Sequence, residues 1–190
     1  VFYLFLGRGF PLFDCRLTIP PPSLTIFPLA RGAAITISLQ GEMGVMSIAK
    51  VAIVTDSTAN LPVDIIREHN IYVIPQILNW EGKSLLDQID ISTEAFYERL
   101  PQSKDLPKTS QPAPGQFTEH FQKVAEGAES IVAIFVSEYL SGTLQSAHLG
   151  AQAMGDYPIE IVDSRSVSLG LGLLAVAAAR RAAAGDGYQD

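Results

Sequence analysis

The chain has 190 residues, 47% hydrophobic and 17% charged, with a formal net charge of −7, which gives room for one domain with a sizeable core. The acidic balance excludes a non-specific nucleic-acid binder, which needs surplus Lys and Arg to displace counterions from phosphates, and allows at most transient membrane contact. A single cysteine, Cys15, excludes an internal disulfide and any multi-cysteine zinc site, so a reducing, cytoplasmic setting is expected.

Residues 1–45 carry clustered aromatics (Phe2, Tyr3, Phe5, Phe10, Phe13) and the run Pro20-Pro21-Pro22, with no sustained period of either kind. They are expected to be a disordered or non-native extension, with Met46 as the natural start and 46–190 as the domain. From Ser47 the pattern becomes a regular alternation of strands and helices.

Ala49 to Thr55 is a buried strand ending in Asp56-Ser57-Thr58; Asn60 is expected to cap the following short helix, with Pro62 in its first turn. Ile71 to Trp80 reads as one strand with an edge or bulge at Pro75, and Glu81-Gly82 turns it into a hairpin partner at Lys83 to Leu86. Ser92 caps a helix running to Leu100. A polar loop, Pro107 to Gly115, precedes a helix whose apolar face is Phe117, Phe121 and Val124.

Ile131 to Val136 is a β-branched apolar run suited to a strand covered on both faces. Ser137 to Ser141 make a turn, and Gly142 and Thr143 open a helix with Leu144, Ala147, Ala151 and Met154 on one face. Ile159 to Val162 is the next strand, ending in Asp163-Ser164, and an alanine-rich helix follows from about Ser168 to Ala184. Leu169 to Ala179 is too short to cross a bilayer, which takes roughly 18–20 apolar residues. Strands alternating with helices predict an α/β fold: an open, mostly parallel sheet with helices on both faces.

Three strands end in short polar pairs: Asp56-Ser57, Ser137-Glu138 and Asp163-Ser164. In such sheets ligands sit beyond the carboxyl ends of the strands. The turn before Thr143 adds free N–H groups, hydroxyls and the positive end of a helix dipole, which together suit an anion.

Other motifs carry less. Gly170-Leu171-Gly172-Leu173-Leu174-Ala175 fits a loose dinucleotide pattern but lacks the acidic residue on a following strand, so helix packing explains its glycines better. There is no G-x-S-x-G elbow and no phosphate-binding P-loop, and His69, His120 and His148 lack metal spacing. A hydrolase or transferase using Ser57 or Ser141 as nucleophile stands as an alternative, with no base evident to activate either.

Four stretches, in this order, carry a resemblance: Val-Thr-Asp-Ser-Thr-Ala-Asn-Leu-Pro at 54–62, Lys-Thr-Ser-Gln-Pro at 108–112, Ser-Gly-Thr-Leu-Gln-Ser-Ala at 141–147, and Val-Asp-Ser with Gly-Leu-Gly across 162–172. From about Ile48 onward the chain resembles the DegV family of bacterial fatty-acid-binding proteins, which includes the binding subunits of fatty acid kinase and so touches phospholipid synthesis. Leu144 stands where the family has Tyr, and Ala113 where it has Ser. The family continues into a second α/β domain that closes the acyl tunnel and supplies a His and basic residues near the head group, so the chain reads as a C-terminally truncated member.

The resemblance implies a carrier rather than an enzyme, with no cofactor, that binds a long-chain fatty acid and presents its carboxyl to an ATP-binding kinase subunit. It implies that Thr109 and Ser141 hold the carboxylate, with Ser110, Gly142, Thr143, Asp56 and Ser57 completing the site. Hydroxyls suit a carboxyl that must go on to become an acyl-phosphate, because a lysine would hold the ground state too tightly. An inactive fragment is the remaining alternative.

Overall fold

The computed structural model describes residues 49–190, and the expected extension over 1–45 and start at Met46 lie outside them. Its centre is β1 (Ala52–Asp56), in which every residue is buried. Such a strand must be covered on both faces, and it lies inside a four-stranded parallel sheet of order β2-β1-β6-β7, with β2 at Ile71–Ile74, β6 at Ile131–Phe135 and β7 at Ile159–Asp163. The expected open parallel sheet with helices on both faces is the observed one.

Two apolar layers sandwich this sheet. On one face α3 (Pro114–Ala125) and α4 (Thr143–Gln152) bury Phe117, Phe121, Val124, Leu144 and Ala147 against Val54, Ala133 and Phe135. On the other, α5 (Leu169–Ala183) sets Leu171, Ala175 and Ala179 against Ile53, Ile134 and Val136, with Ile65 and Ile66 of α1 (Val63–Glu68) at the margin. Gly172 permits this approach, because a Cβ there would lie 2.8 Å from the Ala59 carbonyl oxygen and 2.9 Å from Leu61. The glycines of that helix therefore serve packing against the turn after β1.

The expected single strand over 71–80 is two strands. Pro75 has no N–H to extend the ladder, and past it the chain leaves the parallel sheet for a second one. There β3 (Ile77–Trp80) pairs antiparallel with both β4 (Lys83–Leu86) and β5 (Lys108–Ser110). The β3–β4 hairpin turns on Glu81 and Gly82, with φ of 49° and 76°, the two left-handed residues a tight hairpin needs. β5 replaces part of the expected polar loop.

Trp80 anchors the small sheet. It is 1% exposed, its indole N–H reaches Ser103 Oγ at 2.8 Å and the Asp105 carbonyl at 3.1 Å, and Arg99 from α2 (Thr93–Arg99) stacks 4.3 Å from the ring centroid. Ser92 caps α2 by accepting from Ala95 N, as its spacing predicts. Asn60, by contrast, ends the 3-10 turn over Ser57–Ala59 in a left-handed conformation (φ 51°), and Pro62 holds the position before α1. Asn tolerates that conformation well, and the turn claims the residue before the helix starts. Among the described residues no helix is long and apolar enough to cross a membrane.

Candidate functional site

The order β2-β1-β6-β7 reverses direction between β1 and β6: the chain moves one way to β2 and the other way to β6 and β7. This is where the ends of neighbouring connections diverge and leave a crevice. The crevice here is roofed by β3 and β5 of the small sheet. The result is a cavity of about 560 Å³. Ile77, Leu78, Phe96, Val136, Leu140 and Val167 give it an apolar wall, while Thr58, Asn60, Gln76, Asp87, Thr109, Ser110, Gln111, Ser141 and Gly142 supply polar groups.

Thr109 and Ser141, brought from β5 and from the turn before α4, both border this cavity, as do Ser110 and Gly142. No described residue takes a hydrogen bond from the Thr109 hydroxyl, whereas Ser110 Oγ accepts from Asn79 Nδ2 at 3.1 Å. Gly142 lies close to Gln111: a Cβ there would lie 2.8 Å from Gln111 Nε2, so a side chain would displace the Gln111 amide. The Gln111 amide thus sits against the turn that carries Ser141.

Thr143, Asp56 and Ser57 stand behind the wall. Thr143 is fully buried; its Oγ1 lies 3.0 Å from Gln76 Nε2 and 2.8 Å from Ser141 Oγ. Asp56, also fully buried, accepts from Thr58 N at 2.9 Å, Thr58 Oγ1 at 2.6 Å and Val136 N at 2.9 Å. It clasps the ends of β1 and β6 at the crevice. Ser57 Oγ accepts from Gln76 N at 3.0 Å, fixing the step by which the chain passes from one sheet to the other. All three side chains are thus engaged by the protein, and none of the three lines the cavity.

Gln76 and Asp87 are among the lining residues that the sequence reading did not place at the site. Gln76 is 5% exposed and meets Thr143 across 67 positions of sequence, so no local pattern reveals it. Among the described residues Asp87 is the only acid on the cavity wall. Burial pushes its carboxyl above the usual carboxylate range, the Ser57 hydroxyl opposing. None of His69, His120 and His148 borders this cavity. His120 is held down to about 4 by burial, with Lys123 adding to the effect. Among the described residues no group of three or more His, Cys, Asp and Glu could hold a metal ion. On the far side of Ser141 and Gly142 lies a more open hollow of about 440 Å³, bordered also by Glu138, Leu144, Gln145, His148 and Leu149.

Comparison with known proteins gives a consistent picture. A family model described as an uncharacterised protein of the DegV family matches residues 50–190. A DegV domain-containing protein of Caldanaerobacter subterraneus is 40% identical over 136 residues, which is 72% of this chain and 48% of that protein. A DegV family protein of Thermus thermophilus, whose structure is described as showing fatty acid binding, superimposes with a TM-score of 0.67 at 30% identity, over 74% of this chain and 50% of that one. A stearic-acid-binding protein of Eubacterium ventriosum superimposes with a TM-score of 0.66 at 25% identity, over 73% and 50%. The chain spans about half the length of these relatives.

Proposed function

The chain belongs to the DegV family, and on that premise we propose that it binds a long-chain fatty acid in the cavity beneath the small sheet, carboxyl toward Thr109 and Ser141. The observation that carries this reading is the cavity itself, apolar along Ile77, Leu78, Phe96 and Val167 and hydroxyl-bearing at Thr109 and Ser141. An acyl chain needs the first surface and a carboxylate the second. Fatty acid binding by the Thermus and Eubacterium relatives supports the same ligand class.

Energetics assign the two ends different tasks. Burying an acyl chain is worth about 0.8 kcal/mol per methylene, so the tail supplies most of the affinity. Each hydrogen bond to the charged head contributes roughly 1.5–3 kcal/mol, which is enough to fix orientation. Ser110, with its hydroxyl already engaged by Asn79, contributes through its backbone and shape. Gly142 brings the α4 N-terminus close. Thr143, Asp56 and Ser57 hold the frame.

In the finer reading, the protein acts as a carrier that presents the carboxyl to an ATP-dependent kinase subunit and performs no chemistry itself. Ser141 and Gly142 border both the acyl cavity and the open hollow beside His148, so a head group bound there lies next to a surface that a partner can reach. A serine hydrolase is disfavoured by the lack of a histidine on the cavity wall.

Mass spectrometry of natively purified protein, followed by stearate titration after delipidation, tests the ligand class. Co-purified fatty acid and saturable binding are expected. A ligand-free protein that binds no stearate would overturn the proposal. For the carrier role, Thr109→Val with Ser141→Ala is expected to lower acyl-phosphate formation by a fatty acid kinase.

A further inference from the structure

Ser141 carries one hydroxyl proton, and the head-group chemistry depends on where it points. Gln76 Nε2, which can only donate, gives a proton to Thr143 Oγ1 at 3.0 Å. Thr143 is fully buried, and among the described residues the only other hydrogen-bond partner of its Oγ1 is Ser141 Oγ at 2.8 Å. Were Ser141 the donor in that contact, the Thr143 proton would be buried without an acceptor, a state that costs about 1–3 kcal/mol. Thr143 therefore donates to Ser141. Ser141 Oγ also accepts from Thr143 N at 3.3 Å. With both its lone pairs engaged, the Ser141 proton is left for the cavity that the residue borders.

We infer that Gln76 and Thr143 are positioning residues that lock Ser141 as a hydrogen-bond donor, so that the site selects an acceptor-only anionic head group over a neutral hydroxyl of the same tail. The inference rests on the fatty-acid reading of the cavity. Gln76 reaches this position because Ser57 Oγ holds its backbone N–H at 3.0 Å and Asp87 N donates to its carbonyl at 2.9 Å. The chain's crossing between the two sheets thus sets the direction of the hydrogen-bond chain. A locked donor makes a charge-assisted bond to a carboxylate. A fatty alcohol, which seeks an acceptor for its own proton, finds none in Ser141.

The test measures affinities of the delipidated protein for dodecanoate and for dodecan-1-ol, which share a tail, and follows their ratio. The wild-type protein is expected to favour dodecanoate. Thr143→Val and Gln76→Leu are expected to reduce that preference roughly ten-fold or more, the equivalent of one charged hydrogen bond, with little change for the alcohol. Thr143→Ser, which puts the hydroxyl back, is expected to recover most of what Thr143→Val loses. Equal losses for both ligands, or a preference untouched by Gln76→Leu and Thr143→Val, would overturn the inference and leave the fatty-acid reading standing. A wild-type protein that binds neither ligand would overturn both.

Discussion

Asp87 faces the same cavity as the hydroxyls assigned to a carboxylate, and this sets a testable opposition. Burial raises its carboxyl in the folded state, so relative to the unfolded chain its contribution is fully present at low pH and is lost as pH rises through the folded value. Asp87→Asn is expected to gain thermal stability over the wild type as pH rises from about 4 toward neutrality. At neutral pH it is also expected to bind stearate several-fold more tightly, by removing a like charge. His120 has the opposite sign. Its imidazole is held down to about 4 by burial, so the stability it contributes is present above about 6.5 and lost as pH falls toward 4. His120→Gln is expected to flatten the acid limb of a pH–stability profile across that window. A site reading based on residue types reaches the turn that carries Ser141, because hydroxyls beside a helix start are visible in sequence, and the family resemblance adds Thr109. It misses Gln76 and Asp87, whose relevance arises only when β3 folds back over the parallel sheet.

At the scale of elements, Asp56 holds the structure together at the crevice. Its carboxylate accepts from Thr58 and from Val136 N, tying the end of β1 to the end of β6. Removing it leaves buried N–H groups unpaired, and charged hydrogen bonds are worth about 1.5–3 kcal/mol each. Asp56→Ala is thus expected to lose roughly 3 kcal/mol or more in urea unfolding, and Asp56→Asn less. Gly172→Ala, which drives a methyl toward the Ala59 carbonyl and Leu61, is expected to lose about 1–3 kcal/mol by overpacking. These elements differ in how plainly the sequence announces them. The strands at 52–56 and 131–135 carry the apolar runs Ala52 to Val54 and Ile131 to Phe135, rich in β-branched residues, so composition alone marks them. β5 is Lys108-Thr109-Ser110, with no apolar residue, and is a strand only because β3 offers it a ladder. Asn60 carries a helix-capping side chain, yet the preceding turn takes it. Local preference loses in both cases to a partner supplied by the rest of the fold.

Across the whole molecule, two sheets of different character divide the work. The parallel sheet, packed on both faces, provides rigid strand ends and the hydroxyl-bearing turn before α4. The small antiparallel sheet, pinned by Trp80, supplies the apolar roof and Thr109. The alternation of strands and helices made the first legible, whereas the second depends on a change of sheet at Pro75-Gln76 that a continuous apolar run conceals. In the proposed complex the two sheets meet around an acyl chain whose carboxyl lies between Thr109 and Ser141. NMR of delipidated protein loaded with fatty acid labelled with carbon-13 at its carboxyl tests this most directly. One bound carboxyl resonance is expected, distinct from that of free ligand, that moves in both Thr109→Val and Ser141→Ala while the tail stays bound. A bound resonance unmoved by either substitution would contradict it.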